Sequence, residues 1–138
     1  MIILDTNVVS EPLRTAPDPR VVKWLDDQPL HTLYLSAGTV AEIRFGIAAM
    51  PAGRRRDLLS ERVETKVLPL FSGRILAFDL AVSESYAKLM ARARAAGQAI
   101  APADGYIAAT ALDAGMSVAT RDGVPFVAAG VPVIDPWA

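Results

Sequence analysis

The most constraining feature of the sequence is an aliphatic run near its start that gives way at once to polar side chains. Residues 2–4, Ile-Ile-Leu, predict a short buried strand, because β-branched residues favour extended backbone and such runs are typical of central parallel strands. Asp5, Thr6 and Asn7 follow directly. Function in open α/β sheets collects at the carboxyl ends of strands, so Asp5 is expected to mark the functional edge.

Strands and helices are predicted to alternate along the chain. Further strands are expected at residues 33–36, 75–78, 116–120 and 131–134. Helical or turn segments are expected at 8–14, 19–28, 39–50, 53–71 (interrupted near 69), 80–96 and 102–114. The alternation predicts one α/β domain over residues 1–138, with a mainly parallel sheet covered on both faces.

Capping signals support several of these boundaries. Asp18 precedes Pro19, which is the order expected at a helix start, and Asp79 precedes the next long helix. Gly97 and Gly115 follow apolar periodic segments, as glycines that end helices do.

Composition limits the classes of function. The chain is 52% hydrophobic with a mean hydropathy of +0.31, which suggests apolar surface hidden in an interface. A net charge of -1, from 14 basic and 15 acidic residues, argues against a large basic face for nucleic acid. The absence of cysteine excludes disulfides, zinc–thiolate sites and thiol nucleophiles and favours the cytoplasm. No run approaches the roughly 18 apolar residues of a membrane helix, and Asp5 comes too early for a signal peptide.

Four acids are expected at one edge of the sheet. Asp5 and Asp122 each follow a predicted strand, whereas Glu42 and Asp104 lie in the predicted first turns of helices that follow strands. Each acid also has a purely structural explanation, such as a capping box formed by Thr39 and Glu42, or stabilisation of a helix start by Asp104. Convergence of all four in one cleft is the functional alternative.

Helical spacing indicates which way two of these acids face. Residues three, four, seven and eight positions after Asp104 are apolar, and so are those three, four and seven after Glu42. Acids crowded at a half-buried edge repel each other unless they take up protons or a divalent cation. Oxygen ligands without cysteine or histidine suit Mg²⁺ or Mn²⁺, and His31 is expected in a solvated loop.

The sequence resembles the PIN-domain ribonucleases, in particular the FitB-like subgroup of VapC-type toxins. The resemblance rests on segments that occur in the same order along nearly the whole chain. They are Leu4–Glu11, Ser36–Gly46, Ala103–Ala109, Ala119–Asp122 and Val133–Trp137.

The resemblance implies a three-layer α/β/α fold and an endoribonuclease that depends on Mg²⁺ or Mn²⁺. The acids that would form its catalytic and metal site are Asp5, Glu42, Asp104 and Asp122. The polar residues expected to support them are Thr6, Asn7 and Thr120. The turn at residues 123–126 departs from the commoner polar sequence and is expected to alter a loop without removing chemistry.

Partners follow from the same resemblance. It implies a homodimer that also binds a small antitoxin, and the antitoxin would carry the DNA-binding domain. An apolar groove for it is expected around Val21, Trp24, Leu25, Phe45 and Ile47. The basic run 54–56 has two interpretations, a solvated helix face or a contact with RNA phosphates.

Two other functions stay open at this point. One is a catalytically silent PIN-like module that partners an antitoxin in a DNA-bound repressor complex. The other is a metal-dependent phosphohydrolase, although the Asp-x-Asp type needs a second acid where Asn7 stands.

Overall fold

The computed structural model describes residues 1–138 and is built on a central sheet of five parallel strands. The strands are β1 (Ile2–Leu4), β2 (Leu33–Ser36), β3 (Ile75–Leu76), β4 (Ser117–Ala119) and β5 (Val133–Ile134). Their spatial order is β3-β2-β1-β4-β5, and every neighbouring pair is parallel. The first strand in the chain is therefore the central one.

Seven α-helices surround the sheet. They are α1 (Thr6–Ser10), α2 (Pro19–Asp27), α3 (Ala37–Ala48), α4 (Arg54–Arg62), α5 (Leu80–Ala95), α6 (Pro102–Ala114) and α7 (Val124–Ala128). Short 3₁₀ turns lie at Glu11–Leu13, Leu30–Thr32 and Leu68–Phe71, and a π-helical turn lies at Val63–Val67. None of the helices combines the length and the apolar character that crossing a bilayer requires.

Two apolar cores flank the sheet, one on each face. Consecutive strand residues point to opposite faces, so Leu4 packs with the side chains of α1–α4 while Ile3 packs with those of α5–α7. Both side chains are almost completely buried. This arrangement confirms the predicted three-layer α/β/α fold with a parallel sheet.

The predicted capping residues act at the helix ends where they were expected. Asp18 accepts a hydrogen bond from the backbone of Arg20, and Asp79 accepts one from that of Val82. Gly115 adopts φ 67° directly after α6, in the left-handed region that favours glycine. Helix α6 and the strands β1 and β2 have the predicted bounds, and the other three strands are confirmed with shorter ranges.

The start of α3 differs from the prediction. The helix begins at Ala37 and not at Thr39, because the Ser36 hydroxyl accepts the Thr39 N–H at 3.1 Å and acts as the N-cap. The capping box of Thr39 and Glu42, the structural alternative for Glu42, therefore does not form. Glu42 lies in the second turn of α3 instead of the first.

Two segments predicted as loops contain helical turns. The turn at 123–126 is part of α7, which has a proline in its first turn and whose Phe126 is buried against the α5–α7 core. His31 lies in the 3₁₀ turn Leu30–Thr32 and is exposed, as its predicted solvation requires.

Gly115 and Gly46 offer a matched test of these backbone assignments. Gly115→Ala should destabilise the protein by about 1–2 kcal/mol, because a Cβ is strained at positive φ although no atom lies within 4 Å of it. Gly46→Ala should instead be neutral or stabilise by up to about 1 kcal/mol, because Gly46 lies inside α3 with equally open space. Chemical denaturation of both variants measures the difference, and equal effects would contradict the assignment.

Candidate functional site

The site lies where the strand order reverses. The chain proceeds from β1 to β2 and β3 on one side, whereas β4 and β5 lie on the other side of β1. A crevice forms at the carboxyl ends of strands at such a switch point. Asp5 follows β1 there and Thr120 follows β4, and the Asp5 N–H donates to the carbonyl oxygen of Ala119 at 2.9 Å.

Asp5 is a buried carboxylate with two strong hydrogen bonds. Its side chain caps α1 by accepting the Thr6 N–H at 2.8 Å, and its Oδ2 accepts the Thr120 hydroxyl at 2.8 Å. Burial raises the pKa of Asp5 above its ordinary value, although both hydrogen bonds oppose the rise. The negative charge of Asp122 adds to the increase.

The Thr120 hydroxyl connects three parts of the chain. Thr120 is fully buried and has one proton and two lone pairs. The proton goes to Asp5, and the oxygen lies 3.4 Å from Nδ2 of Asn7 and 3.2 Å from the N–H of Asp122. Asn7 in turn accepts the Arg121 N–H at 3.3 Å. Thr120 and Asn7 therefore fix the loop after β4 against the end of β1.

Asp104 lies in the first turn of α6 and is half-buried. The pKa of Asp104 is raised, first by burial and then by the negative charges of Asp5, Asp122 and Glu42. All three other predicted acids are therefore near enough for their charges to affect Asp104. The structure brings the four acids to one edge of the sheet.

Glu42 reaches this edge by a different route from the one predicted. The expected apolar side of α3 is solvent-facing, since Phe45 is 74% exposed and both Gly46 and Ala49 are exposed. Glu42 itself is exposed, and its Oε2 accepts the Thr6 hydroxyl at 2.9 Å. A hydroxyl contact thus positions Glu42. Of the apolar stripe predicted after Asp104, Ile107, Ala108 and Ala111 are buried and Leu112 is partly buried.

The donor set has the chemistry of a hard-cation site. The acids supply only oxygen ligands. Burial and mutual repulsion raise the pKa of Asp5 and Asp104, because they make the ionised carboxylates less stable. A bound divalent cation would offset that loss. As their side chains are placed, however, no three acidic or imidazole groups come together around one point. A shared ion at Asp5, Glu42, Asp104 and Asp122 therefore stays a prediction.

A groove of about 330 Å³ between α3 and α4 is also lined by α1 and the turn that follows it, and it includes both Thr6 and Glu42. Its floor includes Ile43, Ile47 and Leu59, and its rim includes Arg14 and Arg55. The sequence pointed to the basic run 54–56 as a possible contact with RNA phosphates. It did not show that Arg55, and neither of its two neighbours in that run, lines the groove. Arg14 was not singled out, because nothing local marks it.

The residues expected to form an antitoxin groove are mostly core. Val21 is completely buried and Ile47 nearly so, while Trp24 and Leu25 pack against the core as partly buried side chains. Only Phe45 is strongly exposed. The expectation of an exposed surface is therefore wrong for Val21, which packs inside the core, whereas Ile47 is nearly buried but still lines the groove between α3 and α4.

Comparison with known proteins identifies relatives over nearly the full length. The family model for the PIN domain matches residues 2–130. VapC ribonuclease Y4jK of Sinorhizobium fredii is 58% identical, with 99% of this chain and 98% of the relative covered. Toxin FitB of Neisseria gonorrhoeae is 54% identical, with 99% of each covered. A solved structure of FitAB bound to an IR36 DNA fragment matches with a TM-score of 0.98 and 54% identity, covering 100% of this chain and 96% of the other.

The raised pKa of Asp104 predicts how stability depends on pH in the metal-free protein. Above its raised pKa, Asp104 is ionised in the folded protein, and the burial and repulsion of that charge lower the free energy of unfolding. Well below the ordinary value of 3.8 the carboxyl is protonated in both the folded and the unfolded state, and this loss of stability disappears. Asp104→Asn should therefore raise the melting temperature at pH 7, by roughly 4 °C per kcal/mol relieved. The gain should shrink as the pH falls towards 4. Thermal denaturation in chelator across this range checks it, and a gain that is constant with pH would contradict it.

Proposed function

The chain belongs to the PIN-domain family, and we propose that it is a metal-dependent endoribonuclease acting as the toxin of a type II toxin–antitoxin pair. The observation that supports the proposal is that Asp5, Asp122 and Glu42 lie near enough to Asp104 for their negative charges to raise its pKa. Burial and like charge raise the pKa of both Asp5 and Asp104. The 58% identity to a protein named as a VapC ribonuclease supports the choice of RNA as substrate.

Asp5 and Asp104 would hold one Mg²⁺ or Mn²⁺, with Glu42 and Asp122 completing the shell directly or through water. When bound, such a cation supplies a Lewis acid that lowers the pKa of a bound water and offsets charge on the phosphate and the leaving oxygen. The protein's own contribution is orientation. Thr120 holds Asp5 through its hydroxyl, and the hydrolysis requires no nucleophilic side chain.

The charge distribution suits an RNA substrate that is attracted by a bound cation and a few nearby arginines, and not by an extended basic face. Four acids alone would repel a phosphodiester, so productive binding at this edge depends on cation uptake. Arg14 and Arg55 line the adjoining groove next to Glu42, where neighbouring phosphates of the same RNA strand would pass. Arg14 also pairs with the buried Glu11 at 3.2 Å, which leaves Arg55 as the less constrained of the two cations.

The proposed partner is a small antitoxin that carries a DNA-binding domain. The relative in the FitAB structure is bound to DNA together with its partner, and we infer the same kind of assembly here, as a homodimer of toxin subunits in the cytoplasm. The groove between α3 and α4, with Phe45 exposed on α3, offers the apolar surface that an antitoxin segment would cover.

RNA cleavage tests the catalytic proposal. Asp104→Asn should lower metal-dependent cleavage of total cellular RNA by about 100-fold or more, because it removes a charged oxygen ligand from the centre of the cluster. Asp113→Asn makes the same chemical change at an exposed position of the same helix and should cleave like the wild type. Chelator should abolish cleavage by both active proteins.

The outcome also separates the enzyme from a silent binding module. Undiminished cleavage by folded Asp104→Asn would remove the proposed site. Absence of cleavage by the wild type with Mg²⁺ or Mn²⁺ would favour the module.

Partner binding is tested at Phe45. Phe45→Ser should reduce co-purification of the antitoxin at least about tenfold when the two are expressed together, because an exposed aromatic anchor is lost. Val127→Ser is the control, since Val127 on α7 is 67% exposed and lies far along the chain from the groove. Equal retention by both variants would move the antitoxin site away from α3.

A further inference from the structure

Three hydroxyl groups form a continuous line from the start of α3 to the Glu42 carboxylate. Oγ of Ser36 lies 3.2 Å from Oγ1 of Thr39, which lies 3.4 Å from Oγ1 of Thr6. The Thr6 hydroxyl then reaches Oε2 of Glu42 at 2.9 Å. Thr39 is completely buried and Ser36 nearly so, whereas Glu42 is exposed. The line therefore connects the protein interior to an acid of the site.

Counting protons fixes the direction of these hydrogen bonds. Each hydroxyl has one hydrogen to donate. That of Thr6 goes to Glu42, because the carboxylate is the stronger acceptor and the closer one. The contact between Thr6 and Thr39 can then form only if Thr39 donates. Ser36 donates to Thr39 in turn and accepts the Thr39 N–H at 3.1 Å, so every hydroxyl of the line donates towards the carboxylate.

Thr6 also connects two acids from different elements. Its N–H donates to Asp5 at the end of β1, while its hydroxyl donates to Glu42 on α3. A glutamate on an exposed helix face would otherwise sample several rotamers, and ordering it at the moment of cation binding would weaken that binding. The hydroxyl line orders Glu42 in advance, from the buried side.

We propose that Thr39 is a positioning residue, whose buried hydroxyl orients Thr6 so that Thr6 holds Glu42 at the edge shared with Asp5 and Asp104. That Glu42 is ordered for a divalent cation rests on the proposed function. The ordering of Glu42 itself is independent of that function, because it is a property of the metal-free chain.

Thr110 provides the matched control. It is also a buried threonine inside a helix, but its hydroxyl donates to the carbonyl oxygen of Tyr106 at 2.8 Å instead of joining a line that leads to an acid. Thr110→Val therefore measures how the removal of a buried threonine hydroxyl affects packing when no acid depends on that hydroxyl. An effect that is specific to Thr39 and transmitted to Glu42 distinguishes positioning from packing.

The first experiment uses the metal-free protein. Three-bond scalar couplings across χ1 of Glu42, measured by NMR, should indicate one dominant rotamer in the wild type and in Thr39→Ser, which keeps the hydroxyl. Thr39→Val should give averaged couplings, while Thr110→Val should match the wild type. Couplings that stay unchanged in Thr39→Val would overturn the proposal. Circular dichroism checks folding, and Thr39→Ala takes the place of the valine variant if the latter does not fold.

The second experiment measures Mn²⁺ affinity by calorimetry without RNA. Thr39→Val should weaken binding about three- to tenfold, as expected for one lost hydrogen bond, and Thr39→Ser should restore it. In a Glu42→Gln background Thr39→Val should have no further effect, since its action passes through Glu42. Additive losses in the double variant would overturn the proposal. If the wild type binds no Mn²⁺, the proposed metal dependence fails, and the NMR couplings alone decide the role of Thr39.

Discussion

The structure depends on the burial of a carboxylate at the end of its central strand. An ionised side chain in such a place loses hydration, and the loss is tolerable only where hydrogen bonds replace water. Asp5 receives two, one from the first amide of α1 and one from the Thr120 hydroxyl. The amide belongs to the next residue of the chain, whereas the hydroxyl is brought to Asp5 by the pairing of β1 with β4.

Hydroxyl groups connect the acids on both sides of this carboxylate. Towards β4, the single proton of Thr120 is committed to Asp5, and its lone pairs face Asn7 and the loop before Asp122. Towards α3, Thr6 carries the connection to Glu42. Neutral hydroxyls suit this task, because they satisfy carboxylates without neutralising them. A lysine or arginine at the same positions would cancel the negative charge that cation binding requires.

The near-neutral composition is consistent with a site of this kind. Acids concentrated at the switch point are balanced by arginines elsewhere, most of them exposed on helices. Two cations lie near the acidic edge, Arg55 and Arg121. The guanidinium of Arg121 lies 5.2 Å from the centre of the Trp137 ring. Local charge and not total charge therefore governs how a polyanion would approach.

The sequence by itself determined most of the element types, because the signals for them are local. The aliphatic run before Asp5 specified a strand, and glycine at position 115 specified the end of α6. The positions of Asp5 and Asp122 after strands and of Asp104 at the start of α6 also followed from sequence order, since parallel topology sends those positions to one edge. The family resemblance then identified the supporting hydroxyls at Thr6 and Thr120.

Tertiary structure alone decided which groups contact each other and which face of a helix is buried. A capping box of Thr39 and Glu42 was one possibility from the sequence, yet Ser36 caps the helix and the Thr39 hydroxyl reaches Thr6. The periodicity of α3 carries no strong direction, so sequence could not show that Phe45 faces solvent while Ile43 faces the core. Contacts such as that between Thr6 and Glu42 join residues 36 positions apart, and their geometry is set only when the layers pack.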